Sequence, residues 1–188
     1  MTQIVTGLYL GDYEDASKQS RLTERNITHI VNCAKEHKNY FPNEYMYLTL
    51  NLDDSEQQVI YDRLEKSFNF IKKALDNGGS VLVHCHAGIS RSASIVIYYL
   101  MKVTKSPYDR IYSFVKSKRA QVSPNKGFVM QLISVTPQVI TIQSKQALPM
   151  TYERVPLRDM ESGPSIYAQQ RPIESRAVLL KKFNTGMY

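Results

Sequence analysis

Residues 81–92 read VLVHCHAGISRS. Val81, Leu82 and Val83 form a short apolar, β-branched run, the signature of a buried parallel strand. From Ala93 to Val103 the chain is apolar nearly all round, which predicts a buried helix. The intervening loop therefore passes directly from a strand into a helix N-terminus. Backbone N–H groups there converge and carry positive potential, which makes an anion site. Gly88 allows the tight backbone path. Arg91 adds a planar fork that can hold two oxygens of a phosphate. Cys85 opens the loop inside the same field, which favours its thiolate. An anion cradle with a thiolate at its floor suits nucleophilic attack on a phosphomonoester. A lone cysteine at a strand end is more simply a packed core residue. The glycine and the arginine six residues beyond Cys85 are what that simpler reading does not explain.

Working outward, Ile4 to Leu10 reads as a first edge strand ending at the turn-like pair Gly11-Asp12. Ile27 to Cys33 reads as a buried strand and Tyr45 to Leu52 as a third. Ile60, Leu64, Phe68, Ile71 and Leu75 recur at spacings of four, four, three and four, one face of an amphipathic helix that Asn77-Gly78-Gly79 stops. Downstream, Ser106-Pro107 reads as an N-cap followed by proline at the first helical position, and Tyr108 to Lys118 continues that helix. Ser123-Pro124-Asn125 interrupts, and Lys126 to Val135 is a last helix. Strands alternating with helices predict an α/β fold: a central, mostly parallel, twisted sheet flanked by helices. The composition changes after about residue 143. Residues 144–188 hold four prolines (Pro149, Pro156, Pro164, Pro172) and no long amphipathic period. They are expected to form a flexible C-terminal tail with one apolar-basic patch from Ala177 to Phe183 (AVLLKKF), beyond a single domain at 1–143.

The whole chain, 188 residues with 43% hydrophobic and 22% charged, has the length and composition of one globular domain. No run approaches the ~20 apolar residues of a membrane span. Residues 1–10 lack the basic and apolar regions of a signal peptide. Cys33 and Cys85 are the two cysteines, too few for a disulfide framework and not in zinc-ligand spacing. They predict a reducing compartment, cytosol or nucleus, and no metal or other cofactor is expected. Residues 1–143 carry 17 Lys+Arg against 13 Asp+Glu, and residues 144–188 carry 7 against 4, which sum to the net charge of +7. A surplus spread along the chain favours anionic partners and leaves nucleic acid open as one of them.

His84-Cys85, five residues, Arg91 and Ser92 together resemble the signature loop of cysteine-dependent protein phosphatases. Gly7-Leu8-Tyr9-Leu10-Gly11, Ile30-Val31-Asn32-Cys33 and Ser123-Pro124-Asn125 with Phe128, Gln131 and Leu132 are similar to segments of the small, atypical dual-specificity phosphatases. The similarity covers roughly residues 3–140. It implies a protein-tyrosine-phosphatase-like fold and a phosphocysteine intermediate on Cys85. Arg91 and the loop residues His86, Ala87, Gly88, Ile89, Ser90 and Ser92 are implied to hold the phosphate. Ser92 can donate to the sulfur or simply begin the helix. His84 is expected to support the loop, His86 to point outward at the rim, and Cys33 to serve packing.

The leaving oxygen needs a proton from another loop. The family places an aspartate after the strand that precedes the long helix, with apolar residues six and ten positions on. From Asp54 these are Ile60 and Leu64. From Asp53 they are Val59 and Arg63, so Asp54 is the expected acid and Asp53 the alternative. As a plain acidic pair, the two would only cap the following segment. Three residues before Asp54 the family usually has proline, and this chain has Asn51. Asn125 is implied to brace the catalytic loops, and a turn-forming asparagine explains it equally well.

None of the residues between Cys85 and Arg91 is Lys or Arg. Members of the resembled superfamily that act on inositol lipids tend to carry basic residues there, so the resemblance implies phosphorylated proteins, kinases among them, as partners rather than inositol lipids. Lys38-Asn39-Tyr40 resembles the substrate-recognition loop of tyrosine-only phosphatases, but a chain this short implies a shallow pocket. A shallow pocket admits phosphoserine and phosphothreonine as well as phosphotyrosine. Two rival readings are a phosphatase for RNA 5′ ends or another non-protein phosphate, and a module that sequesters phosphoproteins without turnover.

Overall fold

The computed structural model describes residues 1–135. The expected boundary at residue 143, the 144–188 tail and its patch lie outside these residues. Where the sequence predicts one strand over 4–10, the chain forms a hairpin: β1 (Thr2–Val5) pairs antiparallel with β2 (Leu8–Gly11). Gly7, at φ 76°, takes the left-handed conformation that reverses the chain there. Two short helices follow, α1 (Tyr13–Ser17) and α2 (Gln19–Glu24). Neither is long enough to show a period in the sequence. The first is nucleated by a capping box in which the Asp12 carboxylate accepts from Asp15 N–H and the Asp15 carboxylate from Asp12 N–H.

Next come β3 (His29–Ala34), β4 (Met46–Leu52), α3 (Tyr61–Asp76), β5 (Val81–His84), α4 (Arg91–Thr104), α5 (Tyr108–Lys118) and α6 (Lys126–Ser134). The sheet order is β1-β2-β5-β3-β4, and every pairing except β1–β2 is parallel. All four residues of β5 are buried: strands pair with both its edges, and α1, α3 and α4 pack against it. Every residue of α4 from Arg91 to Met101 is buried, and α3, α5 and α6 all pack against this helix. That accounts for its lack of a polar face. α5 starts one residue later than its sequence suggests. Pro107 is itself the cap, with an extended ψ of 161°.

This topology places the site. β2, β5, β3 and β4 run parallel, so all four end at the same edge of the sheet. Register brings Gly11 beside His84 and Asn32 beside His84. The residues that follow each strand, Asp12, Glu36, Asp54 and Cys85, are therefore delivered to one edge, where open α/β sheets bind ligands. One irregularity aims the β4 end. Asn32 pairs with Thr49 but Ala34 pairs with Leu52, so β4 carries an extra residue. Asn51 absorbs it at φ 50°, a bulge that no proline could adopt. Among the described residues, no helix is long and apolar enough to cross a membrane.

Candidate active site

Cys85, 2% exposed, sits where β5 ends, and Arg91, 5% exposed, opens α4. The loop between them is turned by its carbonyls. The oxygen of His86 accepts from Tyr13 N–H at 3.1 Å and that of Ile89 from Ser123 N–H at 2.9 Å. The Ala87 oxygen accepts from Gln121 Nε2 at 2.9 Å and Arg119 Nη2 at 3.3 Å, and the Gly88 oxygen from Arg119 Nε at 3.2 Å. With every carbonyl of residues 86–89 held from outside, the amides are left for the concavity. Among the described residues, no N–H of residues 86–90 has an acceptor. Gly88 is required at φ 68°, and a Cβ there would stand 2.6 Å from the Gly11 oxygen.

The helix N-terminus is likewise left uncapped. Ser90 is the N-cap of α4, but its side chain caps nothing in the helix. Its hydroxyl donates to Asp54 Oδ1 at 2.6 Å and accepts from Asn125 N–H at 3.1 Å. Asn125 Nδ2 donates to the same Asp54 oxygen at 2.9 Å, while Asn125 Oδ1 caps α6 through Phe128 N–H. Asp54 is thus gripped by the signature loop and the α6 turn together, with Oδ2 3.7 Å from Arg91 Nε. Asp53 turns the other way and pairs with Lys35 at 2.5 Å. The helix phase used to separate the two aspartates agrees. Ile60 and Leu64 are buried, whereas Val59 is 61% exposed and Arg63 lies on the outer face.

Arg91 presents two edges. Nη1 and Nη2 donate to the two oxygens of Glu36 at 2.7 and 2.6 Å, and Nη1 also donates to the Leu52 carbonyl at 3.1 Å. Nε, also buried, donates to no described residue. Burial works against the cation. Glu36, Cys85 and Asp54 outweigh it and raise the Arg91 pKa. In return, Arg91 holds the Glu36 carboxyl down at about 2. Ser92 Oγ donates to Cys85 Sγ at 3.1 Å, the contact expected as one of two readings of Ser92.

Other expected residues fall as follows. His86 is exposed at the rim, its Nδ1 2.9 Å from Nε2 of His37. His84 is fully buried, with Nδ1 3.4 Å from the Cys85 oxygen and Nε2 without a described partner. Burial lowers its pKa to about 4, so it is neutral. Cys33 lies in β3, where burial raises its thiol well above the ordinary range. Asn39 of the 38–40 segment bonds Asn32 and Thr49, which ties that segment to β3 and β4.

The sequence did not point to Glu36, Arg119 or Gln121. Glu36 meets Arg91 across 55 residues, and Arg119 and Gln121 reach the loop across more than 30. No local pattern records contacts that only the sheet order creates.

Comparison with known proteins bears on this geometry. Residues 8–138 match the family model described as dual specificity phosphatase, catalytic domain. Dual specificity protein phosphatase 22-A of Danio rerio is 34% identical over 175 residues, covering 91% of this chain and 83% of that protein. Dual specificity protein phosphatase 1 of Mus musculus is 36% identical over 138 residues, covering 73% of this chain and 38% of its own length. The chain thus spans less than half of the mouse protein. The crystal structure of DUSP15 superposes with a TM-score of 0.68 at 35% identity, over 71% of this chain and 85% of that one. A strand-to-helix loop with a cysteine at its floor, on a sheet of this order, agrees with these matches: the chain belongs to the dual specificity phosphatase family, protein phosphatases that act on phosphotyrosine and on phosphoserine or phosphothreonine.

Proposed function

We propose that the protein hydrolyses phosphomonoesters on phosphorylated proteins, with Cys85 as nucleophile and Asp54 as general acid. The supporting observation is the buried Nε of Arg91. Among the described residues it is a charged donor with no hydrogen-bond acceptor, only an ion-pair distance of 3.7 Å to Asp54 Oδ2, on the edge of the guanidinium that Glu36 leaves open. A buried donor of this kind costs on the order of 1–3 kcal/mol or more unless something accepts from it. A phosphoryl oxygen does so, and the free amides of residues 86–90 take the rest of the dianion.

The steps follow from what each group can do. The Cys85 sulfur attacks phosphorus in line with the leaving oxygen. The sulfur–phosphorus bond forms as the phosphorus–oxygen ester bond breaks. Charge spreads over the three equatorial oxygens, which Arg91 and the loop amides meet. Asp54 gives its proton to the departing ester oxygen, so that tyrosine, serine or threonine leaves with a free hydroxyl. Water then attacks the phosphocysteine, Asp54 takes back a proton, and inorganic phosphate leaves. The Ser92 hydroxyl, already 3.1 Å from the sulfur, stabilises the thiolate as it departs.

The substrates are phosphotyrosine and phosphoserine or phosphothreonine in proteins rather than inositol lipids, because the loop offers no Lys or Arg for a second phosphate. The two free cysteines support a reducing compartment, cytosol or nucleus. The domain is taken as 1–143 and the tail as 144–188. The test compares a small aryl phosphate, a doubly phosphorylated kinase-loop peptide and a triphosphorylated RNA end, each with wild type and Cys85→Ser. Turnover of the first two by wild type alone supports the proposal. Turnover confined to RNA, or undiminished in Cys85→Ser, overturns it.

A further inference from the structure

Among the described residues, a set of metal-ligating side chains lies at the rim of the loop. Glu36 follows β3, His37 follows Glu36, and His86 follows Cys85. One ligand atom from each falls within 4.8 Å of the other two. Nε2 of His37 and Nδ1 of His86 face each other at 2.9 Å. Two ring nitrogens that close need one proton between them, or one cation that both can bind. We propose that Glu36, His37 and His86 form a binding site for a divalent zinc-class ion at the rim of the Cys85 loop.

The surroundings admit the required tautomer and position the rings. The Tyr40 hydroxyl lies 3.4 Å from Nδ1 of His37. With the proton on that nitrogen, Nε2 turns its lone pair toward His86, the outer-shell arrangement common to metal-bound histidines. Tyr13 stacks on both imidazoles, with centroids 5.0 Å from His37 and 5.1 Å from His86 and planes within 4°. Its backbone N–H also holds the His86 oxygen at 3.1 Å. The two rings are therefore held parallel, edge to edge, on one aromatic floor. Two nitrogens on a tetrahedral zinc at about 2.0–2.1 Å stand roughly 3.3 Å apart, so the pair opens slightly and the two rings, whose nitrogens face each other with centroids 5.2 Å apart, turn their lone pairs toward the ion. Glu36 adds an oxygen, and a solvent molecule or an anion completes four-coordination. Two histidines with one carboxylate is a donor set suited to zinc rather than to magnesium or calcium. Glu36 also clamps Arg91 with both oxygens, so metal loading and the Arg91 clamp draw on the same carboxylate.

Cys85 is itself a zinc ligand by type, so the test removes it. Zinc is titrated into full-length Cys85→Ser protein by calorimetry, and cobalt into the same protein by visible absorption. The expected result is one ion per chain, with the intense d–d bands of four-coordinate cobalt. Adding His37→Gln or His86→Gln should each weaken zinc at least tenfold and remove those bands, while His29→Gln, a histidine outside the cluster, changes neither. Thermal unfolding of each variant confirms that it is folded before titration. Should a rim variant fail to fold, His37→Asn and His86→Asn replace it in the same titration. No zinc uptake by Cys85→Ser, or uptake unchanged by both rim substitutions, overturns the site.

Discussion

Arg91 does two things at once because a guanidinium has two edges. The edge on Glu36 compensates a buried cation, and the Nε side is left for phosphate. Lysine keeps the charge but has no fork. Arg91→Lys is expected to lower kcat/KM on an aryl phosphate by about 10²-fold or more, the size of effect seen when a positioned transition-state donor is lost. A change below tenfold would remove Arg91 from the proposed mechanism. The two aspartates separate by experiment as they do by geometry. Asp54→Asn should slow hydrolysis of phosphopeptides, poor leaving groups, by about 10²–10⁴-fold and that of an activated aryl phosphate far less. Asp53→Asn, which loses only a surface pair with Lys35, should change neither. The reverse pattern transfers the acid role to Asp53. At this scale the sequence was informative where chemistry is local. Cys85, Gly88 and Arg91 share one loop, and the burial of Ile60 and Leu64 could be read from helix phase. Glu36 and Ser90 were not read as partners of Arg91 and Asp54, because the groups they meet lie 55 and 36 residues away.

Among the elements, long periods were legible and short ones were not. α3 declared itself through five apolar positions, and α4 through its lack of a polar face, the mark of a helix packed on several sides. α1 and α2 carry five and six residues and left only the Asp12–Asp15 capping box as a clue. The first strand became a hairpin because Gly7 adopts φ 76°. Asn51 shows how one backbone angle shapes the site. It stands where the family resemblance implies proline, and it adopts φ 50° to seat the bulge that leads into Asp54. Proline is locked near −65° and cannot take that angle. Asn51→Pro is expected to destabilise the fold by more than about 1 kcal/mol in urea unfolding, and Asn51→Gly to leave stability within about 1 kcal/mol. Equal stability of the two variants would show that the bulge does not depend on the left-handed residue.

For the molecule as a whole, the parallel sheet gathers four strand ends at one edge, and its centre is buried at a cost that depends on pH. His84 is neutral in the fold, its pKa lowered by burial to about 4 from 6.5. Between those values the unfolded chain binds a proton that the folded chain refuses, so stability falls as pH drops from 6.5 toward 4. The loss amounts to roughly 3 kcal/mol across that window, and His84→Gln should flatten the curve there in denaturant titrations. A His84→Gln curve as steep as wild type would place the pH dependence elsewhere. The same view of the molecule treats residues 1–143 as the whole catalytic unit. A chain ending at residue 143 should therefore turn over a small aryl phosphate at the full-length rate. All of this serves one event, transfer of a phosphoryl group to sulfur. Rapid-quench mixing with a ³²P-labelled phosphotyrosyl protein, followed by peptide mapping, observes it directly. The account predicts label on the peptide containing Cys85, accumulating further in Ser92→Ala and absent from Cys85→Ser. Turnover without a labelled enzyme, or label on any other residue, would contradict it.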